Sequence, residues 1–143
     1  MIWPAKVLAV LSLAACTMQD ENHRHEALMD SIERSVVLPK GSQPLSAYGR
    51  SYAFAGQDRV IGSYSIPVNS PTGPCTVVIP GNSSRACSAE EDEPIEQTAA
   101  GTRRWFDDAD DVPKLLWAGC DQVNVVYEIS SQRVLETLCE ANR

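Results

Sequence analysis

The sequence predicts an α+β domain, in which one N-terminal helix packs on an antiparallel sheet made of two β-hairpins and a proline-rich irregular insertion separates the hairpins. Three observations predict it. Apolar residues recur at helical spacing over residues 25–37. Two pairs of β-rich runs are each joined by a short turn. Pro67, Pro71, Pro74, Pro80 and Pro94 crowd the stretch between the pairs. A helix with one apolar stripe and a sheet with one apolar face bury those surfaces against each other.

In the helix, Leu28, Met29, Ile32 and Val36 form the stripe, with Glu26, Asp30, Glu33 and Arg34 on the other side. Asp20 or Asn22 would cap its start, and Pro39-Lys40-Gly41 ends it. Residues 45–54 then alternate, placing Tyr48, Arg50, Tyr52 and Phe54 on one side and Ala47, Gly49, Ser51 and Ala53 on the other. Ala55-Gly56-Gln57-Asp58 turns the chain into an antiparallel partner over residues 59–66, where Val60, Tyr64 and Ile66 share a face. The small-residue side leaves room for a helix to approach, and the aromatic side reads as core in preference to a binding surface. Prolines break any long element within residues 67–101. Residues 76–79 suit a short edge strand, and Glu90-Glu91-Asp92-Glu93 with Glu96 a solvated loop or a short helix after Pro94. Residues 123–129 and 133–139, joined through Ser130-Ser131, form the second hairpin.

The amino terminus carries a different signal. Behind Lys6 comes an apolar run over residues 7–15, about the length of a secretory-signal core and well below the ~20 residues of a membrane-spanning helix. It ends Leu13-Ala14-Ala15-Cys16, which resembles the lipobox of bacterial lipoproteins. That resemblance implies a signal peptide over residues 1–15, diacylglycerol on the Cys16 thiol, cleavage before Cys16 and further acylation of its amine. Several acyl chains give stable anchoring, because each buried methylene contributes about 0.8 kcal/mol. Thr17 stands where an Asp would mark inner-membrane retention in some bacteria, so the resemblance favours the periplasmic face of the outer membrane. Residues 16–24 then read as a lipidated polar tether, and residues 25–143 as a single domain. The chain also resembles small bacterial envelope lipoproteins through Leu38-Pro39-Lys40-Gly41 and the run from Gly119-Cys120 to Tyr127, a likeness that brings no activity with it. In outline the fold is similar to cystatin-like and assembly-lipoprotein domains, again without a function.

The 143 residues less the 15 of the leader leave 128, enough to bury a real core, and losing Lys6 takes the formal charge from −7 to −8. Such acidity argues against a nucleic-acid partner, since no Lys/Arg stripe neutralises phosphates. It suits a basic protein or peptide, as with the small anchored inhibitors that protect bacteria from lysozyme. Besides Cys16 the chain holds Cys75, Cys87, Cys120 and Cys139, an even number that reads as two disulfides in an oxidising compartment. Locality favours Cys75 with Cys87 and Cys120 with Cys139. The latter two also flank the second hairpin almost symmetrically. A zinc site is the weaker alternative, for want of a CxxC step.

Motifs for catalysis are sparse. The two histidines, His23 and His25, lie beside the anchor and read as solvated. No nucleophile elbow, zincin helix, phosphate loop or dinucleotide fingerprint is present, and no cofactor is implied. Paired carboxylates of a cell-wall enzyme remain a third reading, but 19 acidic residues make some such pair inevitable. Asp107, Asp108, Asp110 and Asp111 form a weak calcium candidate, with helix capping or pairing to Arg103 and Arg104 as the alternatives. Trp105, Phe106 and Trp117 bracket that cluster as core or as partner anchors. The leading expectation is a non-catalytic interaction module held to a membrane by lipid.

Overall fold

Between Leu11 and Ser35 the chain contains neither Gly nor Pro, and one α-helix, α1, occupies that whole span. The structure is a computed structural model that describes residues 11–68, 74–92, 96–115 and 118–140, with side chains from Met18 onward. The helix therefore begins well before residue 25, and residues 16–24, read as a polar tether that requires no structure, are helical. Helix nucleation is the costly step, so once the packed turns around Met29 and Ile32 are fixed, upstream residues without breakers extend the helix. Asp20 and Asn22 accordingly lie inside α1 instead of capping it. At the other end the Ser35 hydroxyl turns back to the Ser31 carbonyl at 2.8 Å. Gly41, at φ +96°, supplies the left-handed residue of the turn that follows.

Among the described residues seven strands follow: β1 (Gly49–Phe54), β2 (Arg59–Ser65), β3 (Thr76–Ile79), β4 (Ser83–Ala86), β5 (Arg103–Trp105), β6 (Gln122–Glu128) and β7 (Arg133–Cys139). Five of them form a sheet in the order β5-β1-β2-β6-β7, while β3 and β4 pair only with each other. The two expected hairpins, β1–β2 and β6–β7, lie side by side through the antiparallel pairing of β2 with β6. The fold is thus α+β, as the sequence predicts, with two additions. Strand β5 joins parallel to β1, and residues 76–79 form half of a third hairpin in place of an edge strand of the main sheet.

Parallel pairing of β5 depends on Gly49. A Cβ there would fall 1.8 Å from the Thr98 carbonyl oxygen, so only glycine lets residues 98–102 cross the start of β1. The crossing chain bonds by Gly101 N–H to Tyr48 O at 3.0 Å and by Arg50 N–H to Thr102 O at 3.0 Å.

Helix α1 covers the aromatic face of the sheet, not the small-residue face. Met29 and Ile32 pack against Tyr48, Tyr52, Tyr64 and Tyr127, every tyrosine in the chain and all fully buried, together with Val60, Val123 and Val125. Wide rings fill the space between helix and sheet, whereas the small face suits a closer neighbour. There the Ser51 and Thr98 hydroxyls meet at 2.7 Å, and Phe106 and Val112 close over Ala53.

Both expected cysteine pairs stand at bonding distance, Cys75 with Cys87 (Cα–Cα 5.3 Å) and Cys120 with Cys139 (4.5 Å). The second ties Gly119–Asp121, a 3-10 turn, to the end of β7. The first closes the β3–β4 hairpin into an arm, whose turn uses Gly81 and Asn82 at positive φ. In the main body the Gln97 side chain clasps Val68, accepting from its N–H at 2.8 Å and donating to its carbonyl at 3.0 Å.

Candidate functional site

Arg50 lies on the aromatic face of β1, where a charge requires a partner. Glu33 on α1 supplies it: Arg50 Nε donates to Glu33 Oε1 at 2.7 Å, with both side chains mostly buried. Tyr52 donates to the same oxygen at 2.9 Å. The Tyr64 hydroxyl is 2.9 Å from that of Tyr52, and because the single Tyr52 proton is given to the carboxylate, Tyr64 donates in turn. Burial pushes the Tyr64 phenol up to about 12, and burial, then the neighbouring Tyr64 and Glu33, push Tyr52 higher. Arg103 extends the array at the surface, contacting Asp30 at 2.7 Å, Glu26, and Glu33 Oε2 at 3.5 Å. Asp30 foremost raises the Arg103 pKa. This array fastens α1 to β1 and β5, and its charges are taken up internally.

Arg103 and Arg104 thus do not pair with the aspartates that follow them; Arg104 pairs with Glu96 and lies over the Phe106 ring. Helix α1 brings its own carboxylates nearer to Arg103 than Asp107, Asp108, Asp110 or Asp111 can reach. Asp108 caps the 3-10 turn Ala109–Asp111, its Oδ1 accepting from Asp110 N–H at 2.9 Å, so the capping falls on the aspartates' own turn and not on a segment that begins at Val112. Among the described residues no group of three His, Cys, Asp or Glu side chains is arranged to hold a metal ion. The calcium candidate therefore has no converging carboxylates behind it.

His25 is not the solvated side chain expected. Its ring stacks on Trp105 with centroids 4.2 Å apart and planes 6° from parallel, and meets Phe54 edge-on at 5.6 Å. Burial lowers its pKa below the usual histidine value, opposed by Glu21. Continuation of α1 through residues 16–24 puts His25 on the packed side of a helix and leaves His23 exposed. Arg24 sits 5.0 Å over the Phe54 ring. Trp105 is therefore half-buried under the helix, Phe106 is core, and Trp117 lies outside the described residues.

The opposite face of the sheet carries a groove of about 290 Å³ between β6 and the segment 112–115. Ile61, Val112, Leu115 and Val126 give it apolar walls, with Ser63, Lys114, Asn124 and Glu140 around them. Gln122, fully buried, holds the wall in place. Its amide donates to Ser63 Oγ at 2.7 Å and to Asn124 Oδ1 at 3.1 Å. Its oxygen accepts from Ser65 Oγ at 2.9 Å and Leu115 N–H at 3.1 Å. Ser63 passes its proton to Pro113 O at 2.6 Å, and Asn124 donates to Glu140 at 3.1 Å. All four hydrogen-bonding positions of the amide are used, which makes the groove a preformed surface. Beside it Leu135 and Leu138 are exposed on the edge strand β7. Chemically the groove fits an apolar side chain or small apolar group; Glu140 is its only carboxylate among the described lining residues.

Sequence reasoning missed Gln122 and the Glu33–Arg50 pair. Arg50 had a readable signal, a charge within an aromatic face, whereas Gln122 had none. Cys16 lies within α1. Among the described residues no helix is long and apolar enough to cross a membrane. Comparison with protein-family models, with curated proteins and with solved structures finds no match to this chain.

Proposed function

We propose that the protein is a bacterial envelope lipoprotein, anchored through lipid on Cys16, whose domain acts as a non-catalytic interaction module at the membrane surface. The observation that carries this reading is the use of the cysteines. Two bonded pairs take up Cys75, Cys87, Cys120 and Cys139, and the fifth, Cys16, closes the Leu13-Ala14-Ala15-Cys16 motif behind the apolar run. Paired cysteines belong to an oxidising compartment, the destination that a secretory signal implies. With Thr17 after the cysteine, the periplasmic face of the outer membrane is the proposed address. Cys16→Ser is expected to remove the protein from washed membranes; retention equal to that of the unaltered protein would contradict the anchor.

A second reading has its own support: the domain binds a basic protein such as lysozyme. The preformed apolar groove lies on a chain of formal charge −7, so an apolar anchor flanked by cations would be both seated and attracted. Binding to lysozyme is then expected to weaken steeply as salt rises, and to weaken further in Val126→Lys. Affinity indifferent to both changes would exclude this use of the groove.

A further inference from the structure

Helix α1 runs antiparallel to β1. Its Glu33 meets Arg50 near the start of the strand, and its His25 meets Phe54 at the end. The N-terminal part of α1 therefore leaves the domain past the end of the sheet where the two main hairpin turns lie. Asp58 stitches those turns together, accepting from Ser130 N–H at 2.8 Å and Ser130 Oγ at 2.7 Å. The opposite end holds the Cys120–Cys139 bond and the Val68–Gln97 clasp.

The departing helix is a stiff element fixed at its root. Residues 18–24 are exposed along it, and the nine-residue step from Cys16 to His25 rises ~14 Å. His25 stacked on Trp105, Arg24 over Phe54, and Arg103 bound to Glu26 and Asp30 hold that root against the sheet. A flexible coil of equal length would let the domain swivel; a helix locked by a stacked ring sets its direction.

We infer that the end bearing the two main turns is the membrane-facing end of the domain, and that the end closed by the Cys120–Cys139 bond is its membrane-distal end. The inference rests on the lipid anchor at Cys16. The occupant of the turn end is the lipid surface, set ~14 Å below it by the helical stalk, and the seven residues of β2 carry the clasp a further ~24 Å outward.

The test uses the lipidated full chain in phosphatidylcholine vesicles that contain an acceptor lipid, with a donor fluorophore on Gln57→Cys or on Gln43→Cys, the latter exposed and tied to the Cys120 end through Tyr48. Transfer from residue 57 is expected to exceed that from residue 43 by at least about threefold, given the two heights. Equal transfer from the two sites, as when the domain lies flat with Leu135 and Leu138 on the lipid, overturns the orientation. Replacing Asn22 and His23 together by glycine, in the exposed part of the stalk, is expected to bring the ratio toward one with the fold unchanged. A ratio that stays high overturns the role of the stalk. Protein that fails to float with the vesicles overturns the anchor and the orientation together. Protein that floats with equal transfer overturns the orientation alone.

Discussion

Glu33 gathers Arg50, Tyr52 and Arg103 onto one carboxylate, and through Tyr52 it reaches Tyr64. These phenols are neutral in the fold, and their folded pKa values are raised above the ordinary ~10. The stabilisation that comes from keeping them neutral is therefore complete below pH ~10 and is lost as pH rises through about 12. Tyrosinate absorbance from Tyr52 and Tyr64 should accordingly appear together with the loss of far-ultraviolet dichroism. A rise centred near pH ~10 with native dichroism retained would mean that the phenols are accessible. At this scale the sequence was half legible. Alternation marked Tyr48 and Tyr52 as one face, and Arg50 within that face announced a buried partner. Which of Glu26, Asp30 and Glu33 would serve depends on the rotation of α1 against the sheet, which the periodicity of the helix alone does not fix. The solvated reading of His25 was overturned for a related reason: its environment is set by the continuation of α1 upstream through residues 16–24.

Among elements, the two main hairpins and the core stripe of α1 were written in the local pattern, since period-2 alternation and a 3.6-residue stripe need no tertiary information. Strand β5 was not, because three residues, Arg103–Trp105, carry too little pattern, and the pairing depends on a missing Cβ at Gly49 some fifty residues away. The arm was concealed by its prolines, which break long elements yet tolerate a four-residue hairpin. Its two strands are largely exposed and pair with each other alone, so its disulfide should act locally. The Cys75→Ser, Cys87→Ser pair is expected to leave the main unfolding transition within about 0.5 kcal/mol while opening residues 75–87 to protease. The Cys120→Ser, Cys139→Ser pair, which releases β7 from the sheet's core end, should cost about 2–5 kcal/mol. Denaturant unfolding and limited proteolysis of the two variants distinguish them. Equal losses of stability would show that the arm folds as part of the core.

At the scale of the whole molecule, helix and sheet run along one axis: α1 passes the main turns at one end, and the Cys120–Cys139 bond closes the other. The groove walled by Ile61, Val112, Leu115 and Val126 opens on the flank opposite α1, where Gln122 keeps it in shape. The α+β class was legible from the order of elements, but the groove was not, since residues 112–115 settle against β6 and against β2, whose Ser63 is 50 residues from its partner Pro113. Nor could charge alone select a site, with acidic residues spread from Asp20 to Glu140. What joins these features into one account is the proposed lipid on Cys16, and mass spectrometry of the protein extracted from membranes tests it most directly. The account predicts a chain that lacks residues 1–15, begins at Cys16 and carries the added mass of a diacylglycerol on that residue. A mature chain that begins elsewhere, or one whose Cys16 thiol is unmodified, would contradict it.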